Sequence, residues 1–408
     1  MNQWTRENSL RLLENGEAFF PALRAAIDRA KEEIFLETFI WSEDATGLEI
    51  RDALVAAAQR GVRVQILVDD YGTPGFSSDF LQPMQRAGIA VKSFDPQPSF
   101  FNIRTNMLCR MHRKIVVMDS EVGFVGGINI CETHMRSHGS ESKQDYAVEV
   151  KGPAASRLRE FCQAGHADVG PRRLAVWRYW LRRIPTELTE PSHDSQVLLV
   201  QRDNAEHPTD IETLYRLAIR HCQQSMIIAN AYFFPGYRFI RELCRAARAG
   251  AEIILIVQGK PDRPLTVATS SIVYDDLMAA GVRIFEYNER PLHAKVAVMD
   301  DTWATVGSSN LDPVSLGLNL EANLFILDQA FASELRTNLN QLIEEQCTEL
   351  IASNRPSPGP IKRLMTTLAY HLTRHMWSWG RKTPVGKQRV ESISNSGNNT
   401  LAADNPKA

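Results

Sequence analysis

EEIFLETFIW at residues 32–41, with LEIRDALVAAAQRGVRVQILVDD at 48–70 behind it, reads strand, helix, glycine, strand. The same order returns as QSMIIANAYFF at 224–234 and FIRELCRAARAGAEIILIVQG at 239–259. Apolar residues recur at helical spacing in both helices, Ile50, Leu54, Ala57, Ala58 and Ile240, Leu243, Ala246, Ala247. Each helix runs into a glycine, Gly61 or Gly250, where a left-handed cap is easiest. The continuous apolar runs that follow suit parallel strands buried on both faces. A second matched block follows: MQRAGIAVKSF (84–94) with MHRKIVVMDSEVGFVGGINI (111–130), and LMAAGVRIFEY (277–287) with LHAKVAVMDDTWATVGSSNL (292–311). Strands alternating with helices of this length predict an α/β sandwich in each half, so the whole is a pseudo-two-fold pair of domains.

Working outward, the repeat predicts a first domain over 1–165, a connector over 166–196 and a second domain over 197–352. A basic amphipathic tail over 353–385 and a disordered end over 386–408 follow. At 408 residues the chain is long enough for two cores. Lys+Arg 46 against Asp+Glu 48 gives a net charge of −2, which disfavours uniform binding to polyanions such as nucleic acid and makes any such attraction local. The opening MNQWTRENSL has no basic segment leading into an apolar core, so no secretory leader is expected. The longest apolar stretches, such as IILIV at 253–257, are strand-sized and too short to span a bilayer. The six cysteines form no C-x-x-C pair and read as reduced, mostly core thiols.

His112, Lys114 and Asp119 make H-x-K-x-x-x-x-D, and His293, Lys295 and Asp300 make it again. Gly126, Gly127 and Asn129 lie 14, 15 and 17 residues past the first histidine, and Gly307, Ser308 and Asn310 lie 14, 15 and 17 past the second. On a strand, residues i and i+2 share a face, so each histidine and lysine project together. The Gly-Gly-x-Asn and Gly-Ser-Ser-Asn stretches bring backbone close and add polar donors, which suits a phosphate oxygen; Asn129, Ser308 and Asn310 are the candidates. Two lysines replace a cation at a phosphodiester, so neither a metal nor a cofactor is expected. Two histidines fit the division of labour, because one must be neutral to attack phosphorus and the other protonated to release an alkoxide. Asp119 and Asp300 stand at strand-to-turn junctions; they complete the motif's catalytic set, although their position favours a structural role.

These paired motifs resemble those of the phospholipase D superfamily over residues 15–350. IIANAYFFPGYR, WATVGSSNLDP and SLGLNLEANL are similar to the shorter bacterial cardiolipin synthases that lack N-terminal membrane spans. The resemblance implies two phospholipase D-like domains, each a mixed sheet flanked by helices, with the active site at their interface. It implies a phosphohistidine on one histidine, by family habit His112, with His293 as general acid and then base. Asp145 and Glu321, in the strand-like DYAVEV and EANLFIL, are the implied orienting carboxylates, with the pairing left open. The implied activity is phosphatidyl transfer from one phosphatidylglycerol to another, releasing glycerol. The implied location is the cytoplasmic face of the bacterial inner membrane, as a peripheral protein on an anionic surface. Water as acceptor, in a lipid hydrolase or phosphodiesterase, is the competing chemistry, and a non-catalytic lipid-binding scaffold is the competing class.

Two segments carry basic residues beside aromatic and leucine side chains, the signature of a helix lying in the headgroup layer. They are PRRLAVWRYWLRRIP at 171–185 and IKRLMTTLAYHLTRHMWSWGRK at 361–382. His134 and His138, spaced H-x-x-x-H, have metal-ligand spacing, but with no third ligand in view they read as solvated loop residues.

Overall fold

A computed structural model of the chain describes residues 3–96, 99–100, 103–104, 109–166, 195–259, 273–351 and 390–393. The segments 171–185 and 361–382 lie outside these residues. Two eight-stranded mixed sheets form the framework. The first contains β1 (Ser9–Glu14), β2 (Glu33–Thr38), β3 (Arg63–Asp69), β4 (Ala90–Phe94), β7 (Ile115–Met118), β8 (Val122–Gly126), β9 (Tyr146–Lys151) and β18 (Val390–Ser392). Its spatial order is β1-β9-β8-β7-β2-β3-β4-β18, and a small ribbon, β5 (Ser99–Phe100) with β6 (Ile103–Arg104), stands apart. The second contains β10 (Gln196–Arg202), β11 (Ser225–Asn230), β12 (Glu252–Gln258), β13 (Arg283–Tyr287), β14 (Lys295–Met299), β15 (Trp303–Gly307), β16 (Glu321–Leu327) and β17 (Cys347–Glu349). Its order, β10-β16-β15-β14-β11-β12-β13-β17, repeats the first position for position.

As the apolar runs predict, β2, β3 and β4 pair in parallel, as do β11, β12 and β13, while the strands that follow each histidine run antiparallel to β2 and β11. Gly61 and Gly250 take φ of +95° and +104°, the left-handed conformation that terminates each helix cheaply.

The halves are layered against each other. Helices Asn15–Arg29, Ala45–Gln59 and Ser78–Arg86 cover the outer face of the first sheet through a core that includes Leu23, Leu54, Ile66 and Met84. Helices Asp210–His221 and Tyr237–Arg248 cover the outer face of the second. Between the sheets lie one helix from each half, Pro153–His166 and Gln329–Gln346, in a single buried cluster that takes residues from both sheets, among them Val117, Val148, Val296 and Leu324. Apolar burial across this layer fixes the two domains together, which the repeat by itself does not dictate.

One expectation is corrected at the C-terminus. Within 386–408, read as disordered, Val390–Ser392 forms β18, antiparallel to β4, with Val390 opposite Phe94. Ile393 packs into the first domain's outer core. β18 takes on β4 the place that β17 takes on β13. The first sheet's edge is therefore covered by a strand from beyond the second domain, which answers the need of an open edge for a partner. All six cysteines are free thiols. Among the described residues no helix is long and apolar enough to cross a membrane.

Candidate active site

Each histidine sits just before a central strand, at the carboxyl end of the parallel strands, and is held there by the other half. The His112 N–H donates to the Leu320 carbonyl (2.9 Å), and the Leu320 N–H donates to the Arg110 carbonyl (2.8 Å). The His293 N–H donates to the Gln144 carbonyl (2.8 Å), and the Gln144 N–H to the Pro291 carbonyl (2.9 Å). Leu320 and Gln144 directly precede the two candidate carboxylates, so these bridges set carboxylate against histidine across the domain boundary.

The carboxylates cross over. Glu321 of the second half accepts from His112 Nδ1 with both oxygens, 3.1 Å each. Asp145 of the first half accepts from His293 Nδ1 at 2.5 Å. Both carboxylates are fully buried. An ionised carboxylate only accepts, so each imidazole carries its proton on Nδ1 and leaves Nε2 free. Lys114 and Lys295 are buried beside them, and each ammonium donates to the carbonyl of the histidine two residues earlier, Lys114 at 2.5 Å. The Phe39 ring stands 5.0 Å from the His112 ring, edge on, and 5.2 Å from Lys114 Nζ.

Burial dominates the electrostatics. It lowers Lys114 from its ordinary 10.5 to about 7, against the pull of Glu321, and Lys295 to about 8, against Asp145 and Glu321. It lowers His112, which Glu321 partly offsets. His293 is held well below its ordinary value by burial and by Lys295, Lys143 and Lys114. Burial raises Asp145. Burial also acts to raise Glu321, but His112, Lys114 and the Ser308 hydroxyl together bring it below the usual carboxylate range. The free site is thus crowded with cations at low dielectric and is complementary to an anion.

Several expected residues have other partners. The Ser308 hydroxyl, expected at a phosphate, donates to Glu321 at 2.5 Å. Asn129 Oδ1 accepts from the Ile40 N–H at 3.2 Å and ties two loops, whereas Asn310 Oδ1 is buried without a partner among the described residues. Asp119 and Asp300, placed in the motif's catalytic set, are at the far ends of β7 and β14 from the histidines. Asp119 accepts the N–H groups of Lys31, Glu32 and Glu33, and Asp300 those of Gln223, Gln224 and Ser225. Each pins the start of β2 or β11, the structural role that their junction position favours.

His134 is a correction. It is fully buried rather than solvated, with its ring 5.6 Å from that of His293 and its Nδ1 4.0 Å from Asp145 Oδ2. His138, in contrast, is a third exposed beside Glu132. His134, Asp145 and His293 are the one group of three potential metal ligands among the described residues. Asp145 is already engaged by His293 Nδ1, and Lys295 and Lys143 face the group, so its charge balance opposes a cation. Lys143 and the Phe39 ring were not legible in the motif spacing.

One further feature lies on the second domain's outer helix. Tyr237, Arg238, Arg241, Arg245 and Arg248 are all exposed and share one face, opposite the buried Phe239, Ile240 and Leu243. The Arg241 guanidinium lies 5.7 Å over the Tyr237 ring, and none of the four arginines pairs with a carboxylate among the described residues.

The family model described as "Cardiolipin synthase, PLD-like domain" matches residues 23–163 and 215–343. A protein of Shigella flexneri named cardiolipin synthase B is 47% identical over 372 residues, 91% of this chain and 89% of that protein. Its namesake in Salmonella typhimurium is 45% identical over the same shares of the two chains. Among solved structures, the phosphatidylserine synthase of Haemophilus influenzae superposes with a TM-score of 0.68 over 90% of this chain and 94% of that one. At 16% identity that likeness speaks for the fold.

Proposed function

The chain belongs to the family of cardiolipin synthases with phospholipase D-like domains, and we propose that it joins two phosphatidylglycerols into cardiolipin through a phosphohistidine. His112 Nε2 attacks the phosphorus of the first lipid, the P–O bond to the headgroup glycerol breaks, and His293 Nε2–H gives its proton to the departing oxygen. Neutral His293 then takes the proton from a hydroxyl of a second phosphatidylglycerol. That oxygen attacks the same phosphorus and releases His112. No water, metal or cofactor enters the balance. Lys114 and Lys295 offset the charge that builds on the phosphoryl oxygens, and Asp145 and Glu321 hold the imidazoles and stabilise whichever is cationic.

The observation that carries this reading is the crossed pairing of two histidines and two carboxylates around two buried lysines. A single buried histidine is often a satisfied core residue. Two, each oriented by the opposite half with Nε2 left free, make a nucleophile and a proton donor facing one phosphorus. In the free site burial and the lysines keep both imidazoles neutral. An anionic phosphodiester cancels part of that positive field, so His293, on its short bond to Asp145, takes up the proton it must donate when substrate arrives.

Both substrates are anionic lipids, so the enzyme works as a peripheral protein on a membrane, at the cytoplasmic face of the inner membrane. The exposed arginine face of Tyr237–Arg248 supports this. In a chain of net charge −2 it is a local basic surface of the kind an anionic leaflet attracts. The test is to incubate the protein with phosphatidylglycerol vesicles labelled separately in headgroup glycerol and acyl chain. One free glycerol should appear per cardiolipin, in EDTA as well as without it. Phosphatidic acid as the main product would make water the acceptor and overturn the transferase reading.

A further inference from the structure

The environment of Asp145 contains a group that the phosphoryl-transfer scheme leaves unused. His134 has no exposed surface, and its Nε2 accepts a hydrogen bond from the Asn129 backbone N–H at 3.2 Å. A backbone N–H only donates, so Nε2 carries no proton and the neutral ring keeps its proton on Nδ1. That Nδ1 has no hydrogen-bond partner among the described residues, and the charged atom beside it is Asp145 Oδ2 at 4.0 Å, the same oxygen that takes the bond from His293. Burial holds His134 well below its ordinary pKa, so it stays neutral with the N–H in place. The corresponding position in the second half, 22 residues past His293 as His134 is past His112, is Ser315. There the carboxylate takes its extra donor from Ser308. At the first-half equivalent of Ser308, Gly127, a Cβ would stand 2.4 Å from Asp145 Oδ1, so a hydroxyl side chain has no room.

We infer that His134 is a positioning residue for the Asp145–His293 pair, its Nδ1–H drawing on the carboxylate oxygen and so weakening the hold of Asp145 on a protonated His293. An acid that must release its proton in one half of the cycle and retrieve it in the other needs a counter-charge strong enough to steer it but not to trap it. A neutral N–H dipole 4.0 Å from the carboxylate oxygen moderates that counter-charge without adding a charge. The other charged or titratable groups facing the pair are Lys295, Lys143, Lys114 and, across the site, His112, while the Tyr146 N–H donates to the other oxygen of Asp145, Oδ1, at 2.9 Å. The inference rests on the assignment of His293 as acid and base, but its direct test does not need turnover.

Nitrogen chemical shifts of labelled histidine should show His134 with Nδ1 protonated and Nε2 bare throughout pH 5 to 9; the opposite tautomer overturns the proposal. The His293 imidazole is then titrated in the wild type, in His134→Phe, which fills the space without a donor, and in His134→Gln, which supplies an acceptor for Asn129 and an amide donor for Asp145. Loss of the donor leaves Asp145 more negative, so the His293 pKa should rise by roughly one pH unit in the Phe variant and return in the Gln variant. An unchanged pKa in a folded Phe variant overturns the proposal, and if that variant does not fold, the tautomer decides. In vesicle assays the His293 limb of the pH–rate profile should move the same way, with kcat reduced about tenfold in the Phe variant. Should wild-type protein make no cardiolipin while His293 still shifts, the positioning role stands and the transferase reading fails.

Discussion

The two histidine–carboxylate pairs are built from one repeat yet are not alike. His112 shares its proton between both oxygens of Glu321 at 3.1 Å, and Glu321 also holds the Ser308 hydroxyl. His293 makes a single 2.5 Å contact to one oxygen of Asp145; His134 Nδ1 lies 4.0 Å from that same oxygen, the Tyr146 N–H donates to the other at 2.9 Å, and the carboxylate's place depends on the absence of a side chain at Gly127. Longer, divided bonding suits an imidazole that serves as a neutral nucleophile. A short bond to one oxygen suits an imidazole that gains and loses charge. Duplication supplied two equivalent sites, and local substitutions around the carboxylates set their bonding apart, in line with the proposed division of roles.

The largest test of that separation is removal of each imidazole. His112→Ala and His293→Ala should each lower turnover of phosphatidylglycerol by about 10⁴-fold or more while the protein stays folded. A phosphatidyl ester with a nitrophenol leaving group, which departs without a proton, should restore covalent labelling to His293→Ala and not to His112→Ala. Rescue of the other variant would reverse the roles.

Next come the carboxylates. Asp145→Asn and Glu321→Gln should cost about 10²- to 10⁴-fold in kcat, since each leaves an imidazole in the wrong tautomer. Asp145→Asn should be the more damaging. Equal losses would mean that the different bond geometries have no mechanistic weight.

A smaller effect tests what the halves share. Lys114 and Lys295 lie near 7 and 8 in the free site, and a bound phosphate raises both. Both are charged below pH 7, so binding there is at full strength. As pH rises through 7 and 8 the free lysines lose protons that the complex must recover. KM should therefore climb with pH, up to about tenfold per unit, with proton uptake on binding. A flat KM across pH 6 to 9 would show that the lysines remain charged without substrate.

Smaller still, Gly127→Ser should crowd Asp145 Oδ1 and tilt the carboxylate against His293 at a cost of about tenfold, while Ser308→Ala removes one donor from Glu321 and should cost only a few-fold. The smallest effect concerns the surface. Reversing Arg238 and Arg241 to Glu should weaken sedimentation with anionic vesicles a few-fold at low salt, and leave turnover of a detergent-dispersed short-chain substrate intact. Unaltered sedimentation would remove this helix from the membrane contact.

Local chemistry made much of this legible in sequence. The strand–helix–glycine–strand blocks foretold the parallel strands, and two copies of H-x-K at period-two spacing foretold the paired histidines and lysines. Asp145 and Glu321 were found, but their crossing was not, because it joins residues 148 and 209 positions apart and only the packing of the two domains decides it. His134 was misread for a related reason: H-x-x-x-H in a polar stretch looks like a surface turn, and nothing local reveals that the other domain's His293 closes over it. Sheet edges were equally opaque, since three residues of ordinary composition, Val390–Ser392, carry no periodic signal.

That last strand has a bearing on how the molecule is made. β18 completes a sheet whose other members are all drawn from the first 151 residues, so the whole second domain must be synthesised before the first domain's edge is closed. On the ribosome the exposed flank of β4 waits through translation of the entire second domain, an interval in which unpaired edges invite misassociation. A nonsense or frameshift lesion between the second domain and Val390, beyond both H-x-K motifs, would therefore strike the first of the two domains to be made.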